Sequence, residues 1–190
     1  MHGQNQPPSL PKPNAKVLSE KRKRAVVSVR YDGRKMYRHS ETGLELPDTI
    51  GSYKQGQIGS YPTSSGQTGI AIPYHAPGAE GTMFIRPLAP HSPETASDLI
   101  EENLNLVKAM EASGKYSAVT TYRSSGVDER PGWERAGFTT KSNDSILVSL
   151  IFCSVQRGYA FKVRVTARNL TEDVKGFVAA MQELIDKAPA

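Results

Sequence analysis

A chain of 190 residues, 37% of them hydrophobic and with a formal net charge of +5, is long enough for one domain with its own core and a tail left over. Its lone cysteine, Cys153, excludes an intrachain disulfide and a cysteine–histidine zinc cluster, and it lies in the most apolar run, where a buried structural thiol belongs. No apolar run reaches the ~18 residues of a membrane-spanning helix, and the first twenty residues lack the apolar core of a secretory signal.

Charge is unevenly spread. Residues 1–38 hold ten Lys/Arg against Glu20 and Asp32, whereas the remainder holds fourteen against seventeen acids. Residues 1–20 are rich in Pro, Asn, Gln and Ser and have too little apolar surface to offset the entropy of ordering. With Lys21, Arg22, Lys23 and Arg24 they form an expected flexible tail, 1–24, ahead of a single domain over 25–187. Residues 25–31 (AVVSVRY) read as a strand, Asp32-Gly33 as a hairpin turn and 34–39 as the returning strand. Residues 43–47 (GLELP) are a short extended piece stopped by proline, and 51–66 read as loop or irregular edge. Residues 67–75 alternate Ile70, Ile72 and Tyr74 toward a core, Pro77-Gly78 marks a turn, and 82–86 (TMFIR) form the next strand.

Ser92-Pro93-Glu94 reads as a helix start, and Ala96, Leu99, Ile100, Leu104, Val107 and Met110 form one stripe ending at Gly114. Residues 115–123 form a strand, 126–137 a long loop or bulged strand, and 138–140 lead toward a final hairpin. Residues 145–155 (SILVSLIFCSV) are β-branched and apolar; 159–168 alternate Phe161, Val163 and Val165 against Lys162, Arg164 and Thr166. Asn169 is the expected cap of a last helix with the stripe Leu170, Val174, Phe177, Val178, Met181, Leu184 and Ile185. The expected fold is α+β: an antiparallel sheet of about six to seven strands with two long helices packed on it.

No chemistry-bearing motif stands out. His2, His39, His75 and His91 have no metal spacing, no phosphate loop or nucleophile elbow is present, and nothing calls for a cofactor or metal. The candidate ligand-binding residues are aromatic and basic groups at strand ends: Tyr74, His75 and Arg86; Tyr122 and Arg123; Trp133 and Arg135. Aromatic faces beside guanidinium donors make a cleft wall, although Trp133 also reads as a loop anchor over the core edge. Lys21–Arg24 are the candidate contact to an anionic surface. Nucleic-acid contact through the basic N-terminal arm is a further alternative, disfavoured because the globule is net acidic and its aromatics are not interleaved with bases. An alternative is a small hydrolase or transferase with dispersed residues such as His75, Arg86, Asp128 and Glu129.

The GLELP piece, the order strand–strand–helix–strands–helix and the ending FVAAMQELI after an alternating strand together resemble the PsbP/DcrB-like superfamily, whose fold also occurs in the Ran-binding Mog protein. The likeness spans roughly residues 25–187 and departs from the pattern in its basic arm and in Tyr53, displaced from the proline. It implies an antiparallel sheet flanked by helices and used for binding, and exported bacterial proteins are common among such relatives. A signal removed upstream would place this chain in the periplasm. The expected function is a non-enzymatic binding or assembly module recognising a protein partner or an anionic surface.

Overall fold

The structure is a computed structural model that describes residues 26–31, 34–63, 67–123, 130–142 and 145–189. The Pro-rich and basic stretch 1–24, with Lys21, Arg22, Lys23 and Arg24, and the acids Asp128 and Glu129 lie outside the described residues.

The first hairpin pairs β1 (Val26–Tyr31) with β2 (Arg34–His39), and β3 (Glu45–Pro47) joins β2 to complete a three-stranded antiparallel sheet. The GLELP piece thus gives a three-residue strand that buries Leu44 and Leu46 in the main core. Residues 51–66, read as loop or irregular edge, contribute two short strands. Following β4 (Thr49–Ile50) come β5 (Tyr53–Gln55) and β6 (Gly59–Pro62), both paired with the same long strand, β7 (Thr68–Ala76). Tyr53 is fully buried and anchors the first of these.

Beyond β7 come β8 (Ala79–Pro87), the helix α1 (Ala96–Ala112), β9 (Ser117–Arg123), β10 (Trp133–Ser142), β11 (Ser145–Gln156), β12 (Tyr159–Ala167) and the helix α2 (Glu172–Lys187). Strands β4 to β12 form a nine-stranded sheet in the order β4-β5-β7-β8-β12-β11-β10-β9, with β6 also on β7 and every pairing antiparallel. The sheet is therefore larger than the six to seven strands expected. Between β11 and β12, Arg157 (φ 54°) and Gly158 (φ 76°) both take left-handed backbone, the pair that a two-residue turn with native twist requires.

The two helices do not form a common layer on one sheet face. Successive residues of a strand point to opposite faces. On β12, Phe161, Val163 and Val165 join the cluster that holds Val174, Phe177, Met181 and Ile185 of α2. Ala160, with Ile151 and Cys153 of β11, joins the cluster that holds Leu99, Ile100 and Val107 of α1. The helices thus lie on opposite faces: α2 over β8 and β12, α1 over β9 to β11.

Both helix starts also differ from expectation. Thr95, not Ser92, caps α1, because Thr95 and Asp98 close a reciprocal capping box. Thr171, not Asn169, caps α2, and Leu170 stays outside the helix and 45% exposed rather than on its stripe. Phe177 is 1% exposed beneath β12, as its place in the stripe implies, and it stacks on Tyr53 with ring centroids 4.1 Å apart.

Candidate functional site

Because α2 covers β8 and β12 and meets β10 at its start, Trp133, one sheet face is left partly open beside β9 and the rest of β10. A groove of about 610 Å³ lies there. Its floor is Leu150 and Phe152 of β11, its helix side is Val178 and Lys175, and its far wall is Tyr122 with Arg135. Register places Arg135 opposite Phe152, and Gly137 opposite both Leu150 and Tyr122. Gly137 sets the wall: a Cβ there would come within 2.6 Å of the Tyr122 ring, so only glycine lets that ring lie across the strand. Burial raises the Tyr122 phenol above its ordinary value against the pull of Arg135, so the ring carries a neutral hydroxyl beside a guanidinium. Lys175 Nζ pairs with Glu172 at 2.6 Å on the rim. The surface is apolar and aromatic at its base and cationic above, and it suits an amphipathic anion.

The remaining candidate residues separate. Arg123 reaches the groove rim, but its Nη2 donates to the carbonyl and hydroxyl of Ser97 at 3.0 and 2.9 Å, tying β9 to the start of α1. Trp133 is 5% exposed and its Nε1 donates to Asp186 Oδ1 at 3.0 Å, with Arg130 and Gln156 on the same carboxylate. It anchors the start of β10 to the end of α2 and offers no face to a ligand. Tyr74 is fully buried; its hydroxyl donates to the Pro47 carbonyl at 2.7 Å and accepts from Gln55 at 3.1 Å. Burial pushes this phenol well above its usual range. His75 is exposed beside Glu80, Nδ1 to Oε1 3.5 Å. Arg86 lies six positions beyond Glu80 on β8, roughly 20 Å at a strand's rise, so His75 and Arg86 do not meet over one substrate.

Arg86 belongs to a second concavity, on the α1 face, of about 380 Å³. Its Nη1 donates to Glu94 Oε2 at 3.2 Å, its Nη2 donates to Glu94 Oε1, and Glu102 stands 3.8 Å away. Diagonally across the sheet is Lys162, which faces Phe84 in register while Arg86 faces Ala160. Its Nζ donates to Asn103 Oδ1 at 2.8 Å and sits 4.2 Å over the Phe84 ring. Burial, above all, lowers its pKa. Beneath this cleft, burial pushes the Cys153 thiol up to about 12, so it is a packed thiol rather than a nucleophile.

Lys162, Asn103 and Tyr61 were not visible in the sequence as site residues. On an alternating strand Lys162 reads as the solvent face, and only the knowledge that α1 covers that face could have turned it inward.

No family model and no curated protein matches the chain. Among solved structures the chain is similar to protein of unknown function PA94 from Pseudomonas aeruginosa, at 12% identity and a TM-score of 0.33, over 87% of this chain and 96% of that one. What the protein does rests on its own side chains. Among the described residues no helix is long and apolar enough to cross a membrane.

Proposed function

We propose that this protein is a non-enzymatic binding module that holds an acidic, partly apolar segment of a protein partner in the groove between α2 and the β9–β11 part of the sheet. What supports this most is the meeting there of Tyr122 and Arg135 with the floor of Leu150 and Phe152, while Lys175 stands on the opposite rim. Aromatic and guanidinium groups over an apolar base are the composition of an interaction hot spot. Tyr122 at 38% and Leu170 at 45% exposure leave apolar surface in water at the groove mouth. A trough takes an inserted segment, whereas a bilayer meets a flat or convex basic face. The basic run 21–24 would add long-range attraction to the same acidic partner. The resemblance to the PsbP/DcrB-like superfamily, a fold used for binding, agrees in kind.

Selection from a displayed peptide library, followed by anisotropy titration of the recovered peptides, tests the reading. Recovered peptides should carry Asp or Glu interleaved with Leu or Phe. Their affinity should fall at least tenfold on Arg135→Glu and on Leu150→Asp, and should weaken with salt. Peptides indifferent to both substitutions would overturn it. So would binding to phosphatidylglycerol vesicles that survives both while no peptide is selected.

A further inference from the structure

The cleft on the α1 face has its own chemistry, independent of the groove. Two cations line it, and their partners are unequally shared. Arg86 takes Glu94 in a two-pronged pair and has Glu102 at 3.8 Å. Lys162 has no carboxylate within 4.0 Å among the described residues; its amine is met by a neutral amide oxygen and a ring face. Glu102 acts on the ammonium only through space, so burying that charge without a directly paired carboxylate is costly, and methionine would fill the same space at no such cost. The amine also lines open space rather than packed core. Around it stand Phe84, Tyr61, Leu99 and, at the mouth, the exposed Leu106. Tyr61 is held edge-on to Phe84 with centroids 5.7 Å apart, and its ring lies across Gly69, where a Cβ would approach within 2.7 Å. The wall is therefore fixed before any ligand arrives.

We infer that this cleft is a binding site for a small monoanionic carboxylate with an apolar or aromatic body, whose carboxylate serves as the counter-ion of Lys162 and whose body lies along Phe84, Tyr61 and Leu106. The charges at the cleft, Arg86 and Lys162 against Glu94 and Glu102, sum to zero, so the ligand is drawn by the local ammonium rather than by net charge. Glu102 at the mouth opposes a dianion such as a phosphate monoester more than a monoanion. The volume, about 380 Å³, falls within the ordinary range of small-molecule sites. Asn103, one turn along α1 from Leu99, holds the ammonium toward the cavity, and its own Nδ2 is fixed by donation to the Leu99 carbonyl at 2.7 Å. A bound carboxylate raises the pKa that burial has lowered, so binding consumes a proton at alkaline pH.

Benzoate is the probe, with benzamide as its neutral isostere and phenyl phosphate as the dianion. Titration of the full chain at neutral pH, followed by amide chemical shifts, should show saturable benzoate binding with shifts confined to residues around Phe84, Asn103 and Lys162. Benzamide and phenyl phosphate should each bind at least tenfold more weakly. Lys162→Met and Lys162→Gln should abolish the benzoate shifts, while the unliganded melting temperature of the methionine variant is equal or higher. Benzoate affinity should fall as pH rises through the lysine titration. The assignment is overturned if benzoate and benzamide bind alike or phenyl phosphate binds as tightly as benzoate. It is equally overturned if both lysine variants bind as the wild type does, or if benzoate fails to saturate at tens of millimolar.

Discussion

Gly81 of β8 lies directly beneath the Phe177 ring of α2, and a two-residue cycle measures that approach. A Cβ added at Gly81 would lie 2.5 Å from Phe177 Cζ. Ordinary carbon contacts lie at about 3.5–4.0 Å, so the overlap exceeds an ångström. The ring has nowhere to go: it stacks on Tyr53 at 4.1 Å and meets Tyr74 edge-on at 5.5 Å, both fully buried. Gly81→Ala alone should cost about 1–3 kcal/mol as overpacking. Phe177→Ala alone should cost about 3–5 kcal/mol as lost transfer energy and cavity. Combined, the new methyl enters the space the ring has left, and alanine is favoured over glycine in a strand by roughly 0.5–1 kcal/mol. Gly81→Ala should therefore be neutral or stabilising in the Phe177→Ala background, a coupling of about 1–4 kcal/mol of relief. Urea melts of the four proteins give the cycle, with Phe177→Leu as a milder background if Phe177→Ala leaves too little folded protein to fit. Lys175→Ala, on an exposed face of the same helix, should change stability by no more than about 0.5 kcal/mol. Costs for Gly81 and Phe177 that add within about 0.5 kcal/mol would refute the placement of α2 over β8.

Two further outcomes follow from buried polar groups. His39 is buried, and its Nδ1 accepts from the Thr42 amide at 3.3 Å and lies 3.0 Å from the Thr42 hydroxyl, with burial the main cause of a pKa below 6.5 and Glu41 opposing it. The folded state resists protonation there, so this contribution to stability is complete above pH ~6.5 and is lost as pH falls below it; denaturant midpoints at about pH 7.5 and pH 5 should differ by more in the wild type than in His39→Gln. Arg157 donates to the carbonyls of Ile185 at 2.5 Å, Pro189 at 3.1 Å and Ala188, closing the C-terminus of α2. Arg157→Ala should cost about 1–2 kcal/mol and raise amide exchange in the last turn, and unchanged exchange there would remove the capping role.

The long elements that carry a period were legible, whereas β10, a ten-residue strand from Trp133 to Ser142, reads over its first half as a long loop or bulged strand because Gly132, Gly137 and Pro131 interrupt its pattern. Alternation in β12 and the helical spacing from Val174 to Ile185 are enough, as residue patterns alone, to name both partners of an interface. The strands β4, β5 and β6 have two, three and four residues, too few for alternation to show, and their pairing is decided by β7 and by burial of Tyr53. The helix caps were misplaced by three residues and two residues because several Ser, Thr and Asn candidates stand in a row, and only the reciprocal bond to Asp98 singles out Thr95. Of the candidate site residues, Tyr122 and Arg135 share a groove because β9 and β10 pair in register, whereas Tyr74 and Trp133 belong to the core. Lys162 was hidden by the same alternation that revealed Phe161: the pattern says which residues share a face, not whether that face is wet.

The pairing of β8 with β12 brings together segments between which α1 and three further strands intervene. A chain emerging from the ribosome therefore completes the β7–β8 hairpin long before the strand that must lie beside β8 exists. Until then Met83 and Ile85 have no covering helix, and the backbone of β8 is an unsatisfied edge open to any extended segment nearby. Such a chain cannot consolidate its centre piece by piece, and its final strand and helix arrive as the keystone. Truncations that spare the first 158 residues would leave an open sheet prone to self-association rather than a smaller version of the fold.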